Sequence, residues 1–144
     1  MTEIKIGGRT VPLFYSTYEM IAIQREIGCT AFELREKVFG FHLKDEDDPT
    51  SLEMDVAKDP EKTEKFGKLL TILGNAGLEE AGQEGNLTAK WVLRNMKPQL
   101  INVFALTAMK VIIDGNSVET QNAEEQGPVD EILEEQNAKK QPGN

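Results

Sequence analysis

A helical repeat of apolar residues in the middle of the chain limits the folds open to it. Four of them stand at positions i, i+3, i+4 and i+7: Phe66, Leu69, Leu70 and Leu73. This spacing is typical of a helix with one buried face. Asp59 is a suitable N-cap and Pro60 suits the first helical position, so we predict a helix over residues 60–73. Other parts of the chain must cover its apolar face.

Size and charge favour a single domain that binds other proteins. The 144 residues, 39% of them apolar, are enough for one domain with its own core. A net charge of -9 argues against nonspecific binding to nucleic acid or to an anionic membrane, because both need clustered cations. The single cysteine, Cys29, cannot form an intrachain disulfide and indicates a reducing, cytoplasmic setting. Without a signal peptide or an apolar run of about 20 residues, we expect a soluble protein.

The N-terminal sequence EIKIGGRTVPLFY predicts a β-hairpin. Ile4 and Ile6 alternate on one side, and a second extended run passes through Val11 and ends at Tyr15. The two glycines between these runs supply the positive φ angles of a tight turn. Pro12 cannot donate to a ladder, which places the second strand at an edge or turns that backbone position outward.

Two capping boxes follow the hairpin. Ser16 and Glu19 have the spacing of the first, and we predict a helix over residues 17–27 that stops at Gly28. Thr30 and Glu33 have the spacing of the second, and we predict another short helix that stops at Gly40.

Two later segments are predicted to be loops. Residues 41–59 are rich in acids and have no clear period, which is typical of a solvated loop. Residues 74–87 contain four glycines, each costing about 1 kcal/mol in a helix relative to alanine, and we predict a flexible connection with at most one short helical turn. Thr88 then caps a helix that ends near Met96, and Pro98 begins the last one.

The last helix has apolar residues on every face between residues 99 and 113. That pattern predicts burial all round, either as the central core helix or as a subunit contact. Gly115 is expected to be its C-cap, in preference to a small hairpin turned around Asp114 and Gly115.

The composition changes after Ser117. Seven acids stand against two lysines, and four residues are large and apolar: Val118, Val129, Ile132 and Leu133. We expect too little burial to offset ordering entropy, although residues 128–140 have the pattern of a short helix that forms on a partner. The predicted fold is therefore an α+β, mainly helical single domain over residues 1–115 with an N-terminal hairpin, followed by a disordered acidic tail over residues 116–144.

No residue pattern predicts catalysis, a metal or a cofactor. His42, the only histidine, has no neighbouring nucleophile, and a packing role is favoured for Cys29 over a reactive thiol. The acids between Asp45 and Glu53 suit calcium by type but not by the spacing of an EF-hand loop. The glycine-rich segment lacks the Lys-Ser/Thr of a phosphate loop. We expect a binding protein and not an enzyme.

The opening IKIGGRTVPLFYSTYEMIAIQREIG resembles the start of tail assembly chaperones of long-tailed (siphovirus-like) bacteriophages and prophages. The resemblance is carried by a hairpin, a second strand and a helix end: Ile4, Ile6, Gly7, Gly8, Pro12, Leu13, Tyr15, Glu26 and Gly28. The segment KLLTILGNAGLEEAG is similar to the second helical half of that family. The resemblance covers roughly residues 1–115.

The resemblance implies a protein that holds the tape measure protein in an assembly-competent state. It also implies recruitment of the tail tube protein through an extended form made by ribosomal frameshifting. Such a chaperone works in the cytoplasm of the bacterial host and is absent from the mature virion. Lys139 and Lys140, the only adjacent lysines, are the candidate frameshift site.

Exposed apolar side chains are the expected partner contacts, since helical tape measure segments present apolar stripes. The candidates lie on the last two helices and in the tail: Trp91, Leu100, Phe104, Ile132 and Leu133. Trp91 has Arg94 beside it, as interface anchors often do, although a core role for the tryptophan is favoured. A homo-oligomer is also compatible with an apolar last helix.

Two other functions stay open at this point. One is a structural phage connector or tail-completion protein, which would remain in the virion. The other is a small regulatory module that binds a transcription factor or DNA. Mass spectrometry of purified virions separates the first from a chaperone, and gene order beside the tube and tape measure genes bears on the second.

Overall fold

The computed structural model describes residues 1–117. Its largest elements are four helices: α1 (Thr17–Glu26), α2 (Pro60–Glu80), α3 (Ala89–Asn95) and α4 (Ile101–Asn116). Two antiparallel hairpins pair β1 (Glu3–Ile6) with β2 (Arg9–Pro12) and β3 (Phe41–Leu43) with β4 (Leu52–Met54). Three short turns complete it: a 3-10 turn (Ala31–Glu33), a π turn (Arg35–Phe39) and a second 3-10 turn (Pro98–Leu100). The predicted α+β, mainly helical class with an N-terminal hairpin is confirmed. Residues 118–144, which hold most of the predicted tail, lie outside the described residues.

The N-terminal hairpin has the predicted form. Ile4 pairs with Val11, and the turn glycines Gly7 and Gly8 have φ angles of 59° and 74°. The alternation puts the Ile4 and Val11 side chains in the core. Ladder pairing ends at Pro12, earlier than the predicted Tyr15.

The chain after β2 bonds to other parts of the fold, which explains why the ladder ends there. The Leu13 N–H donates to the Thr2 carbonyl at 2.8 Å, and the Phe14 N–H donates to the Leu73 carbonyl of α2 at 3.1 Å. The amides of Leu13 and Phe14 are thus satisfied, and the second bond ties the segment to the middle of α2.

Helix α2 is the centre of the fold and contacts α1, α3, α4, β2 and the π turn. Its predicted apolar face is completely buried, since Phe66, Leu69 and Leu73 are each 0% exposed. The helix does not stop at Leu73 but continues to Glu80, so the prediction of a flexible loop over residues 74–87 is wrong for its first half.

Close packing explains why α2 continues through two of its glycines. A Cβ atom on Gly77 would lie 1.9 Å from the Pro12 carbonyl oxygen, and one on Gly74 would lie 2.7 Å from Leu87 Cδ1. The glycines are therefore contact points, and the burial they permit offsets their low helix propensity. Gly82, with φ of 80°, follows the end of the helix.

The remaining loop, residues 81–88, is anchored to α2 by one side chain. Asn75 Nδ2 donates to the Leu87 carbonyl at 3.1 Å, and the Leu87 N–H donates to Asn75 Oδ1 at 2.8 Å. Leu87 is buried at the point of contact. The Thr88 hydroxyl then accepts from the Trp91 N–H at 3.1 Å, so the predicted cap of α3 is confirmed.

Helix α4 is half covered within residues 1–117, so the prediction that it is a central core helix is wrong. The alternative, a subunit contact, stays a prediction. One face is in the core: Ile101, Phe104, Ala105, Ala108, Val111 and Ile112. On the opposite side Val103, Leu106 and Ile113 are 53%, 51% and 60% exposed. No element within residues 1–117 lies over these side chains.

The predicted C-cap at Gly115 is also wrong. Helix α4 extends to Asn116, and Gly115 has no positive φ. A Cβ atom there would lie 2.6 Å from Tyr15 Cδ2 and 2.9 Å from the Tyr15 carbonyl oxygen. The glycine therefore lets the end of α4 pack against the chain that follows the first hairpin.

The region between α1 and α2 differs from the prediction in two ways. The second capping box opens only a 3-10 turn and a π turn instead of a regular helix, although Gly40 ends them as predicted, with φ of 65°. The predicted acidic loop over residues 41–59 contains the β3–β4 hairpin, in which Phe41 pairs with Met54. Strands of three residues are too short to show an alternating pattern in the sequence.

No single helix within residues 1–117 has the length and hydropathy of a membrane span. The bent pair formed by α3 and the segment 98–116, at 99° to one another, meets those criteria only when both are counted together.

The contact at Gly77 gives a direct test of the packing. We expect Gly77→Ala to lower the free energy of unfolding by about 3 kcal/mol, because its Cβ meets backbone that cannot rotate away. Gly67→Ala in the same helix is the matched control, since the atoms nearest to its Cβ would belong to the Leu93 side chain, which can rotate, and we expect a loss of about 1 kcal/mol or less. Urea unfolding measures both. Equal losses in the two variants would contradict the assigned contact.

Candidate functional site

An open apolar groove lies beside the C-terminal half of α4. Its volume is about 500 Å³, and the 3-10 and π turns, the β3–β4 hairpin and α4 form its walls. The lining is largely apolar: Ala31, Phe32, Leu34, Arg35, Phe39, Phe41, Leu52, Met109, Ile112, Ile113 and Asn116. We call this site the α4 groove.

Large apolar side chains at the rim of the α4 groove point into solvent. Phe32 is 89% exposed, Ile113 is 60% exposed and Leu52 is 52% exposed. Val103 and Leu106 extend this surface along the same side of α4, at helical spacing from Ile113. Single exposed apolar residues are ordinary, but several around one concave site mark a binding surface.

The capping box at the 3-10 turn positions Phe32. The Thr30 N–H donates to Glu33 Oε1 at 2.8 Å, and the Glu33 N–H donates to the Thr30 hydroxyl at 3.2 Å. Lys37 Nζ lies 3.0 Å from Glu33 Oε2. The hydrogen bond from the Thr30 backbone, and then Lys37, lower the pKa of Glu33. Reciprocal bonds of this kind fix the backbone of the turn, and Phe32 stands between the two capping residues.

Aromatic side chains form the floor of the α4 groove and connect it to the core. The ring centroids of Phe39 and Phe41 are 6.1 Å apart, and those of Phe39 and Phe66 are 6.0 Å apart. The Arg35 guanidinium lies over the Phe41 ring, 5.9 Å from its centroid. Since Phe39 and Phe66 are buried, the floor is rigid and only its edge is open to solvent.

The β3–β4 hairpin is held against the π turn by backbone contacts. The Asp55 N–H donates to the carbonyls of Phe39 at 3.1 Å and Gly40 at 3.2 Å. A Cβ atom on Gly40 would lie 2.8 Å from Asp55 Cβ and 2.9 Å from Lys62 Cε. Gly40 therefore both ends the π turn and allows the hairpin to carry Leu52 to the rim.

The acids of this hairpin are structural acceptors in its turn. Asp45 Oδ1 accepts from the Asp47 N–H at 3.0 Å, and Asp48 Oδ1 accepts from the Thr50 hydroxyl at 2.6 Å and its N–H at 2.9 Å. The Thr50 hydroxyl, followed by its N–H, lowers the pKa of Asp48. Within residues 1–117 no group of three or more His, Cys, Asp or Glu residues is placed to hold a metal ion.

His42 and Cys29 occupy separate places and form no common site. His42 Nε2 lies 3.3 Å from Glu53 Oε1 and His42 Nδ1 lies 3.5 Å from Asp55 Oδ2, on the outer side of the hairpin. Cys29 is buried in the core, and this burial raises the pKa of its thiol. A raised thiol pKa opposes formation of the nucleophilic thiolate at neutral pH.

The partner residues predicted from the sequence do not line the α4 groove. Trp91 is partly buried against the core, Phe104 is only 6% exposed and Leu100 is 36% exposed at the start of α4. Phe104 is therefore a core residue, while Leu100 and part of Trp91 remain accessible to a partner. The other predicted residues lie outside the described part of the chain: Ile132, Leu133, Lys139 and Lys140.

Sequence reasoning missed the rim residues Phe32, Leu52 and Ile113. The apolar composition of α4 on every face did contain the signal for Ile113, because a face with no covering element must lie open or meet a partner. Phe32 and Leu52 had no such signal. Neither belongs to a longer periodic pattern of apolar residues, and only the fold brings them together.

Comparison of the chain with protein-family models, curated proteins and solved structures gave no match.

The capping box predicts a pH dependence of stability. Since the pKa of Glu33 lies below its usual 4.5, its contribution to stability is present above that pH and is lost as the pH falls through the lowered value. We expect Glu33→Gln to be less stable than the native chain at pH 7 and the difference to shrink at acidic pH. Glu36→Gln removes the same charge nearby without touching the box and serves as the control. Denaturant unfolding between about pH 3 and 7 measures this, and a difference independent of pH would contradict it.

Proposed function

We propose that this chain is a tail assembly chaperone of a long-tailed bacteriophage or prophage. In this role it binds the tape measure protein without catalysis, keeps it soluble, and through an extended form helps to recruit the tail tube protein. It acts in the cytoplasm of the bacterial host and leaves before the virion is complete.

The uncovered α4 groove is the observation that carries the proposal. An amphipathic helix binds by placing side chains at i, i+3 or i+4 and i+7 into an apolar groove. The groove and the neighbouring face of α4, with Val103 and Leu106 exposed, offer such a helix a continuous apolar surface. Tape measure proteins are long and helical in the family that this sequence resembles, and such helices present apolar stripes.

The size of the surface suits reversible binding. Burying one large apolar side chain contributes about 1.5–3 kcal/mol, and association loses several kcal/mol of rotational, translational and side-chain freedom. With Phe32, Leu52 and Ile113 as the main exposed side chains at the groove, the net affinity of one helical segment is expected to be modest. A chaperone that must release its client needs such an affinity, and several copies along one long client would add to it.

The charge of the chain supports a role in keeping a client soluble. A net charge of -9 repels other copies and acidic partners, while the groove has Arg35 as its only charged lining residue within residues 1–117. Binding is therefore directed to the apolar surface, and the acidic surround maintains the solubility of the complex.

Two groove substitutions test the proposal. We expect co-expression with the cognate tape measure protein to raise its soluble yield, and Phe32→Ser with Ile113→Ser to reduce that yield by about tenfold, since each lost apolar contact lowers affinity by 1 kcal/mol or more. Both side chains are exposed, so the unfolding free energy should change little.

Tyr18→Ser is the matched control, because Tyr18 is 77% exposed on α1 and does not line the α4 groove. It should keep the full soluble yield. A tape measure protein that is equally soluble without this chain would refute the chaperone function. Recovery of the chain from purified virions would favour a structural tail component instead.

A further inference from the structure

The described part of the chain ends at the α4 groove. Asn116, the last residue of α4, lines the groove, and the Ser117 N–H donates to the Asp114 carbonyl at 3.2 Å. Residues 118–144 therefore begin at the edge of an uncovered apolar site.

The sequence that follows contains one segment with the chemistry to fill that site. Val129, Ile132 and Leu133 have the i, i+3, i+4 spacing of one helical stripe, and Pro128 suits a first helical position. The residues between and after them are acidic: Asp130, Glu131, Glu134 and Glu135. This is the pattern of a short amphipathic helix, the kind of ligand that binds in apolar grooves.

The length of chain allows the contact. About 15 residues separate Ser117 from Ile132, and such a length spans up to about 50 Å when extended. Every part of the α4 groove is within that reach. A segment tethered by a linker of this length is held near its site at an effective concentration of the order of millimolar, so even a weak contact is populated.

The charges at the groove favour an acidic occupant over a basic one. The Arg35 guanidinium lines the groove over Phe41 and forms no salt bridge with another residue in 1–117. Glu131 and Glu134 flank Ile132 and Leu133, so a carboxylate is available to pair with this cation when the two apolar side chains enter the groove.

We propose that residues 128–136 of this chain cover the α4 groove when no client is bound, with Ile132 and Leu133 as the inserted side chains. The segment then acts as a tethered competitor that shields the apolar surface and is displaced by a client. This inference concerns the same groove as the proposed function but does not depend on the identity of the client.

Hydrogen exchange on the full chain, with no client present, tests whether residues 128–136 cover the α4 groove. We compare the native chain with the double variant Ile132→Ser, Leu133→Ser. Removing the cover should make amides of the groove walls, in residues 31–39 and 109–116, exchange about tenfold faster, which corresponds to about 1.4 kcal/mol of lost protection. Amides of α2 should keep their rates and act as the internal reference.

Val118→Ser is the matched control, because it removes an apolar residue of the same region outside the proposed segment. It should leave exchange in the groove walls unchanged. Equal exchange rates in the native chain and the double variant would overturn the proposal. Protection that rises with protein concentration, together with a dimer in sedimentation, would overturn it in favour of a second copy. Because no client is present, none of these outcomes depends on the chaperone function.

Discussion

Where Gly77 meets the Pro12 carbonyl, helix α2 runs against the first hairpin with no space for a side chain. This approach lets the Phe14 N–H reach the Leu73 carbonyl and brings the inward side chains of the hairpin onto the buried face of α2. Helices α1, α3 and α4 and the π turn also contact α2. A larger residue at this one position would move the hairpin outward and weaken contacts along the whole helix.

Helix α2 contributes mainly to the stability of the fold, while α4 also presents a candidate binding surface. The large apolar side chains of α2 are all buried, while α4 has one buried apolar face and one open apolar face. The open face is next to a groove whose floor is anchored in the core through Phe39 and Phe66. A binding surface on a rigid floor loses less conformational entropy when it is covered than one built on a mobile loop. The turns of the rim hold Phe32 through two backbone hydrogen bonds, so the exposed aromatic is preorganised as well.

Local signals in the sequence predicted most of the helices and the first hairpin. The two capping boxes, the Asp59–Pro60 start and the paired glycines of the first turn all depend on neighbouring residues, and the structure has each of these features. The failures at Gly74, Gly77 and Gly115 share a cause. At each of them the glycine allows close packing against a residue distant in sequence. A single sequence does not distinguish such a packing glycine from one that ends a helix or forms a turn. The α4 groove was missed for the same reason, because its walls come from three separate parts of the chain.

The contact between Gly115 and Tyr15 joins the two ends of the described chain. The residues of α1 and α2 are synthesised before the residues of α4 that complete this contact. Until α4 arrives, the core side chains that it covers remain open to solvent, and closure requires a contact between residues about 100 positions apart, which slows folding. The nascent chain is therefore itself prone to aggregation until α4 has joined the fold.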